Sequence, residues 1–291
     1  MRLCYTIGMP EKIALVTGAS SGFGLLTSIE LTKAGFRVVA TMRNLGRRDR
    51  LEQAVAAAGV GAKIDVRALD VTKFDLIQGF VDNVAQDYER LDVLVNNAGF
   101  AVAGFAEDIK LDELRLQFET NFFGAVAMTK AVLPTMRRQR SGHIIQVSSI
   151  GGLQGAITVS SYAASKHALE GWSESLRMEV NSLGIKVVLV EPGAFETGIW
   201  TSGAVMGEQA TKQTSPNFQR SLRMREQIQK IPKADPMVVA RTIVAIAQNP
   251  SPRLRYLVGR DAKIQLAMKR ILPWKWYEKV IANFLKIDQD L

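Results

Sequence analysis

Short apolar runs alternate along the chain with longer stretches of helical periodicity. The runs Ile13–Thr17, Arg37–Thr41, Lys63–Leu69, Leu91–Asn96, His143–Val147 and Lys186–Val190 predict six strands, and Arg255–Val258 predicts a seventh. Helical spacing covers stretches near 22–34, 47–58, 73–89, 111–139 and 160–183, and helix resumes near Pro236. This alternation predicts an α/β fold, a parallel sheet with helices on both faces. No internal repeat, low-complexity tract or long polar linker divides the chain, which predicts a single domain.

Composition narrows the class. A chain of 291 residues can bury a large core as one α/β domain. No run approaches the roughly 18 uninterrupted apolar residues of a membrane-spanning helix, so a soluble, cytoplasmic protein is expected. Residues 1–9 lack the apolar core of a signal peptide, and Met9 is an alternative start. The single cysteine, Cys4, excludes an intramolecular disulfide and a cysteine-based zinc cluster, while His143 and His167 are too few for a histidine-rich site. No metal is expected. Charge is uneven: residues 1–210 carry 21 basic and 22 acidic side chains, and residues 211–291 carry 16 and 6. That excess suits a membrane surface, an acidic substrate or nucleic acid, or is simply a solvated face. No helix-turn-helix, zinc or aromatic-platform pattern accompanies it, so nucleic-acid binding is not expected.

The first predicted strand leads into Thr17-Gly18-Ala19-Ser20-Ser21-Gly22-Phe23-Gly24, which opens a helix. Glycines let backbone approach a diphosphate, whose charge meets the N–H groups of the helix N-terminus. After the second strand the chain reads Ala40-Thr41-Met42-Arg43-Asn44. A carboxylate there would repel a ribose 2′-phosphate, whereas Arg43 pairs with it, so NADP(H) is favoured over NAD(H). Arg47 and Arg48 either add to the positive field there or, with Arg50, decorate the exposed side of the next helix, and the helical pattern favours the second.

Tyr162 and Lys166 lie four apart in a helical stretch, so both project from one face. A free phenol titrates at about 10, and a neighbouring ammonium favours the phenolate, which suits proton transfer near neutrality. Ser149, at the end of the strand-like run His143–Val147, supplies a hydroxyl for a substrate oxygen. By itself such a Tyr–Lys spacing is commonly a surface pair.

TGxxxGxG, Asp70, Asn96-Asn97-Ala98-Gly99, Asn121, Ser149, Tyr162-x-x-x-Lys166 and Pro192-Gly193 occur in the order and spacing that resembles the short-chain dehydrogenase/reductase family, over residues 12 to 200. The segments ATMRN, RYLVG and ILPWKW are similar to its hydroxysteroid and retinol dehydrogenase branch. The resemblance implies a Rossmann-like, doubly wound parallel sheet of seven strands. It implies that Tyr162 exchanges a proton with the substrate, that Lys166 lowers its pKa and holds the nicotinamide ribose, that Ser149 orients the oxygen, and that Asn121 kinks its helix and supports a water relay. Gly18, Ser20, Ser21, Gly22, Phe23 and Gly24 would hold the diphosphate, Asp70 the adenine, and Asn97, Ala98 and Gly99 would line the cofactor. Pro192, Gly193 and Thr197 would frame the nicotinamide.

The implied reaction is hydride transfer between nicotinamide and a carbonyl or alcohol. A dinucleotide-sensing regulator without turnover and an NAD-dependent alcohol dehydrogenase are the alternatives. The expected layout is a core over 12–195, a substrate lid over 196–235 and a completing segment with a basic tail over 236–291. Ile199, Trp200, Val205, Met206, Phe218, Leu222, Met224 and Ile228 in the lid suit a bulky apolar substrate or simple packing. The tail alternates Leu266, Trp274, Trp276 and Phe284 with Lys263, Lys275 and Lys279, which fits peripheral contact with a membrane or docking on its own domain. The resemblance also implies a homodimer or homotetramer through Phe122, Phe123, Leu169, Trp172 and Leu176, positions that a monomer buries equally well.

Overall fold

The computed structural model describes residues 11–197, 199 and 204–285; Cys4, Met9, Gly198, Trp200 and Lys286 lie outside the described residues. In chain order the elements are β1 (Ile13–Val16), α1 (Gly22–Lys33), β2 (Arg37–Met42), α2 (Asp49–Ala58), β3 (Ile64–Ala68), α3 (Phe74–Tyr88), β4 (Val93–Asn96) and β5 (Ala101–Ala103). There follow α4 (Leu111–Phe118), α5 (Gly124–Gln139), β6 (Gly142–Val147), α6 (Ser160–Val180), β7 (Ile185–Pro192) and β8 (Ala204–Met206). The chain continues through α7 (Phe218–Lys230), α8 (Met237–Gln248), β9 (Arg255–Val258), α9 (Arg260–Ile271) and α10 (Trp274–Leu285).

Seven strands form one parallel sheet in the order β3-β2-β1-β4-β6-β7-β9. Alternate side chains of each strand feed opposite cores. Ala14, Val16, Val38 and Val188 pack with Leu25, Ile29, Val239 and Ile243 from α1 and α8. Ile13, Leu15, Val39 and Val187 pack with Ile77, Val81, Met128, Val132 and Leu176 from α3, α5 and α6. This is a Rossmann-like, doubly wound fold. The strand order reverses between β1 and β4, and a crevice opens beyond the carboxyl ends of the strands at such a switch point.

Two features depart from the sequence pattern. The stretch 111–139 is not one helix: a π-turn at Glu119–Phe123 separates α4 from α5. Its extra residue swings Asn121 inward, where it is 2% exposed. The lid is also more regular than its composition suggests. It holds α7 and the strand β8, which pairs in parallel with β5. Of the apolar positions expected at a subunit interface, Leu169 and Leu176 are buried within the chain and Phe123 is 45% exposed.

Candidate active site

The glycine turn after β1 takes the shape its sequence demands. Gly18 and Gly22 have φ of 69° and 56°, the left-handed region that side chains disfavour. A Cβ on Gly18 would lie 2.8 Å from the Cα of Ala98, and one on Gly24 would run into Asn97 Nδ2 and the Gly18 carbonyl. The turn is braced from β4: Asn97 Nδ2 donates to the carbonyl oxygens of Thr17 and Gly18 at 2.9 and 3.0 Å. Thr17 Oγ1, absent from the residues expected here, accepts from the amides of Asn97 and Ala98, both at 3.0 Å.

This turn forms one end of a groove of about 600 Å³ running across the strand ends. Gly18, Ser20, Ser21, Gly22, Phe23, Arg43, Asp70, Asn97, Ala98, Gly99, Ser149, Tyr162, Lys166, Pro192, Gly193 and Thr197 all line it. Gly24 does not; it lies beneath the turn, where its missing side chain lets Asn97 approach. Asp70 Oδ1 is fixed by the amide and hydroxyl of Thr72 at 3.0 and 2.8 Å. Arg43 lines the groove, and so does Arg47, which the helical pattern had placed on an outer face. Both are exposed, and neither makes an ion pair among the described residues. A glycine cradle at a helix N-terminus, with two guanidiniums beyond the second strand, fits an anionic dinucleotide.

The chemistry-bearing side chains converge where β6 meets α6. Tyr162, Lys166 and Ser149 are 5%, 5% and 8% exposed. Ser149 is hydrogen-bonded to Tyr162 and its Oγ accepts from the Gly151 amide at 3.0 Å. Lys166 Nζ donates to the Val147 carbonyl at 2.8 Å and lies 5.8 Å from the centroid of the Tyr162 ring. Burial pulls Lys166 down to about 8, opposed by the charge of Glu170. Burial pushes Tyr162 up, with the Ser149 hydrogen bond acting the other way. The direction for Tyr162 is thus opposite to the one expected from the Tyr–Lys spacing, because desolvation outweighs the hydrogen bond with Ser149.

Asn121 sits one layer behind. Its Oδ1 accepts from the Phe100 amide at 3.1 Å, and its Nδ2 donates to the Phe100 carbonyl and Ser165 Oγ at 3.0 and 3.2 Å. Ser165 in turn donates to the Tyr162 carbonyl at 2.8 Å. Asn121 therefore ties the π-turn to the helix that carries Tyr162.

A second cavity, of about 1190 Å³ and with a mainly apolar lining, meets the groove at Ser149, Gly193 and Phe195. Of the apolar residues singled out in segment 196–235, Ile199 and Val205 line the groove and Met206, Phe218 and Leu222 line neither space; Met224 and Ile228 line the cavity. So do Met268, Trp274, Tyr277, Ile281 and Phe284 of α9 and α10, which the sequence pattern did not assign to a pocket. Two contacts hold α9 against the loop after Ser149: Lys269 Nζ donates to the Leu153 carbonyl at 2.6 Å, and Gln154 Nε2 to Gln265 Oε1 at 2.8 Å. Asp261 accepts from the Ala194 amide at 2.7 Å and secures the Pro192-Gly193 loop.

A family model described as short chain dehydrogenase matches residues 12–204. The chain is 41% identical over 280 residues to the uncharacterized oxidoreductase YusZ of Bacillus subtilis, covering 95% of this chain and 99% of that one. It is 36% identical over 264 residues to a 3-ketodihydrosphingosine reductase of Bacteroides thetaiotaomicron, covering 90% and 93%. It is 37% identical over 274 residues to bovine retinol dehydrogenase 8, covering 90% and 86%. Among solved structures, a short-chain dehydrogenase from Streptomyces avermitilis superposes with a TM-score of 0.79 at 35% identity over 96% of this chain and 98% of that one. One from Burkholderia phymatum in complex with NAD gives 0.76 at 25% identity over 89% and 93%. A metagenomic short-chain oxidoreductase in complex with NADP gives 0.67 at 28% identity over 85% and 96%.

Proposed function

The chain belongs to the short-chain dehydrogenase family, and on that premise we propose that it is an NADP(H)-dependent oxidoreductase of bulky apolar carbonyl or alcohol substrates. Chemistry on CH–OH and C=O groups with a nicotinamide dinucleotide is the family's activity. The observation that carries the finer reading is the junction of groove and cavity: Ser149 lines both, and Tyr162 is hydrogen-bonded to it.

The groove residues from Gly18 to Phe23 would hold the diphosphate, Asp70 the adenine side, Arg43 with Arg47 the 2′-phosphate, and Pro192, Gly193 and Thr197 the nicotinamide end. When bound, the nicotinamide supplies or accepts the hydride. Tyr162 carries the proton: its hydroxyl donates to the substrate oxygen in reduction and receives the proton back in oxidation. Ser149 orients that oxygen by a second hydrogen bond. The Lys166 charge governs how readily Tyr162 releases its proton, and Asn121 fixes the backbone of the helix bearing both.

The size and apolar lining of the second cavity support a steroid, retinoid or fatty-chain substrate, as do the names of the reductase from Bacteroides and of retinol dehydrogenase 8. Contact with an anionic membrane is part of this reading. Ile271, Trp274, Trp276 and Phe284 are 78%, 59%, 63% and 65% exposed beside Lys275 and Lys279, and Trp274 and Phe284 also line the cavity. Among the described residues no helix is long and apolar enough to cross a membrane. Self-association through the α4–α6 face, where Phe123 is exposed, completes the proposal; sedimentation at monomer mass would remove that part.

The test is NADPH and NADH consumption against steroid, retinoid, fatty and small carbonyl compounds, run beside Tyr162→Phe. Turnover with bulky carbonyls that the substitution abolishes supports the reading. Tight NADPH binding with no turnover across the panel points instead to a cofactor-sensing regulator.

A further inference from the structure

Behind the Tyr162–Lys166 pair lies a buried acid pair that the reaction above does not use. Glu170, on α6 one turn beyond Lys166, is 4% exposed, and Glu191, at the end of β7, is 1% exposed. Arg255 of β9 reaches both: its Nη2 lies 2.8 Å from Glu170 Oε2 and its Nε 3.1 Å from Glu191 Oε1. It also pairs with the half-exposed Glu174 at 2.8 Å. Three oxygens here are buried without an aligned hydrogen-bond partner: Glu170 Oε1, Glu191 Oε1 and Ser148 Oγ. Ser148 Oγ and Glu170 Oε1 lie 2.7 and 3.2 Å from one point, the place of a Cβ on Gly152, so they are neighbours.

The arrangement repeats down one face of α6. Tyr162, Lys166 and Glu170 are spaced by four, and each meets one of three successive residues leaving β6. Tyr162 meets Ser149, Lys166 meets the Val147 carbonyl, and Glu170 meets Ser148. Two buried carboxylates sharing one guanidinium with a third cannot all be ionised at low cost. A proton held between Glu170 and Glu191 also gives one of these carboxyl oxygens a donor.

We infer that Glu170 is a positioning residue for the proton-transfer pair: Glu191 carries the shared proton, Glu170 carries the charge, and that charge keeps Lys166 an ammonium inside a buried site. Burial raises both acids, Glu191 to about 8. The charged groups around Lys166 and this pair are Glu170 and Glu174 on α6, Glu191 on β7, Arg255 on β9 and Arg270 on α9, whose charge reaches Glu191. Of these, Glu170 is the one whose charge acts on Lys166.

The inference rests on the proposed reaction only for its kinetic readout, so the test uses two that need no turnover. Nitrogen-15 NMR of the lysine side chains, with Lys166 assigned by its loss in Lys166→Met, follows the Lys166 titration. In Glu170→Gln its midpoint is expected to fall by about one pH unit, and in Glu191→Gln to stay in place. Infrared spectroscopy of the wild-type protein at neutral pH is expected to show an exchange-resistant protonated carboxyl that Glu191→Gln removes. In alcohol oxidation, Glu170→Gln should move the rise of rate with pH about one unit alkaline, while carbonyl reduction at neutral pH is retained. Equal shifts in both Gln variants, or an unmoved Lys166 midpoint in Glu170→Gln, overturn the assignment. Should Glu170→Gln not fold, the absence of the protonated carboxyl in the wild type overturns it independently. Normal Lys166 behaviour with no turnover in any variant indicts the proposed reaction rather than this inference.

Discussion

Lys166 Nζ is held 2.8 Å from the carbonyl oxygen of Val147, the last residue of β6. This hydrogen bond ties α6 to the end of β6 and leaves the ammonium 5.8 Å from the centroid of the Tyr162 ring. Removing the phenol alone leaves this anchor intact. Tyr162→Phe is expected to lower kcat by at least ~100-fold with NADPH affinity unchanged in fluorescence titration. Lys166→Ala, which frees the strand end as well, should lose both turnover and affinity. Equal affinity in the two variants would contradict the anchoring role.

Arg43 and Arg47 face the groove without carboxylate partners among the described residues. Arg43→Asp should raise KM for NADPH by roughly 10- to 100-fold, the loss of a charge-assisted hydrogen bond, and leave KM for NADH unchanged or lower. An unchanged ratio of kcat/KM for the two cofactors would refute 2′-phosphate recognition here. Arg47→Ala is expected to act in the same direction and more weakly.

Gly24 faces inward, against Asn97 and the Gly18 carbonyl. Gly24→Ala must push the brace away from the turn, so calorimetry should show destabilisation of about 2 kcal/mol together with weakened NADPH binding. Gly35→Ala is the contrasting case. It has φ of 95° but nothing within 4 Å of the added Cβ, so it should strain the backbone and spare the cofactor.

Glu191 makes stability depend on pH with a definite sign. Its folded pKa is raised by burial from 4.5 to about 8. An acid raised on folding favours the native state below its unfolded value, and that contribution is lost as pH climbs toward the folded value. Glu191→Gln keeps the neutral form at every pH. Its melting temperature should match wild type near pH 4 and exceed it at pH 8, where the stability gain is ~1 kcal/mol. A constant offset across the range would argue against a titrating Glu191.

Met268 of α9 and Met224 of α7 both line the apolar cavity. Met268→Trp is expected to raise KM for steroid-sized or long-chain carbonyls about tenfold while small carbonyls are handled as before. If all substrates suffer alike, the cavity is not where the chain chooses among them.

Much of this was legible in the chain itself. The inner strands of the sheet are mostly apolar, because a strand covered by helices on both faces has no polar side, whereas the edge strands β3 and β9 carry Asp65, Arg67 and Arg255 and are only partly buried. The groove residues were legible because glycine turns and strand-end positions are local features. Other parts were hidden for physical reasons. β5 and β8 are three residues each, too short to show a period. α7 reads FQRSLRMREQIQK, and only Ser221 and Met224 of it are buried, so its apolar stripe is faint. Arg47 looked like a helix surface, yet it sits in a single turn of tight helix just before α2, which turns it to the groove. The direction of the Tyr162 shift depends on burial, set against the hydrogen bond with Ser149, and neither is written in a four-residue spacing.

The groove is built from loops that follow β1, β2, β3, β4, β6 and β7, whereas much of the apolar wall comes from α7, α9 and α10, which supply none of the groove lining. Substitution in those three helices can therefore retune the choice of substrate while the apparatus for the common reaction is inherited unchanged. Descendants of one ancestral chain can part company in diet long before they differ in chemistry.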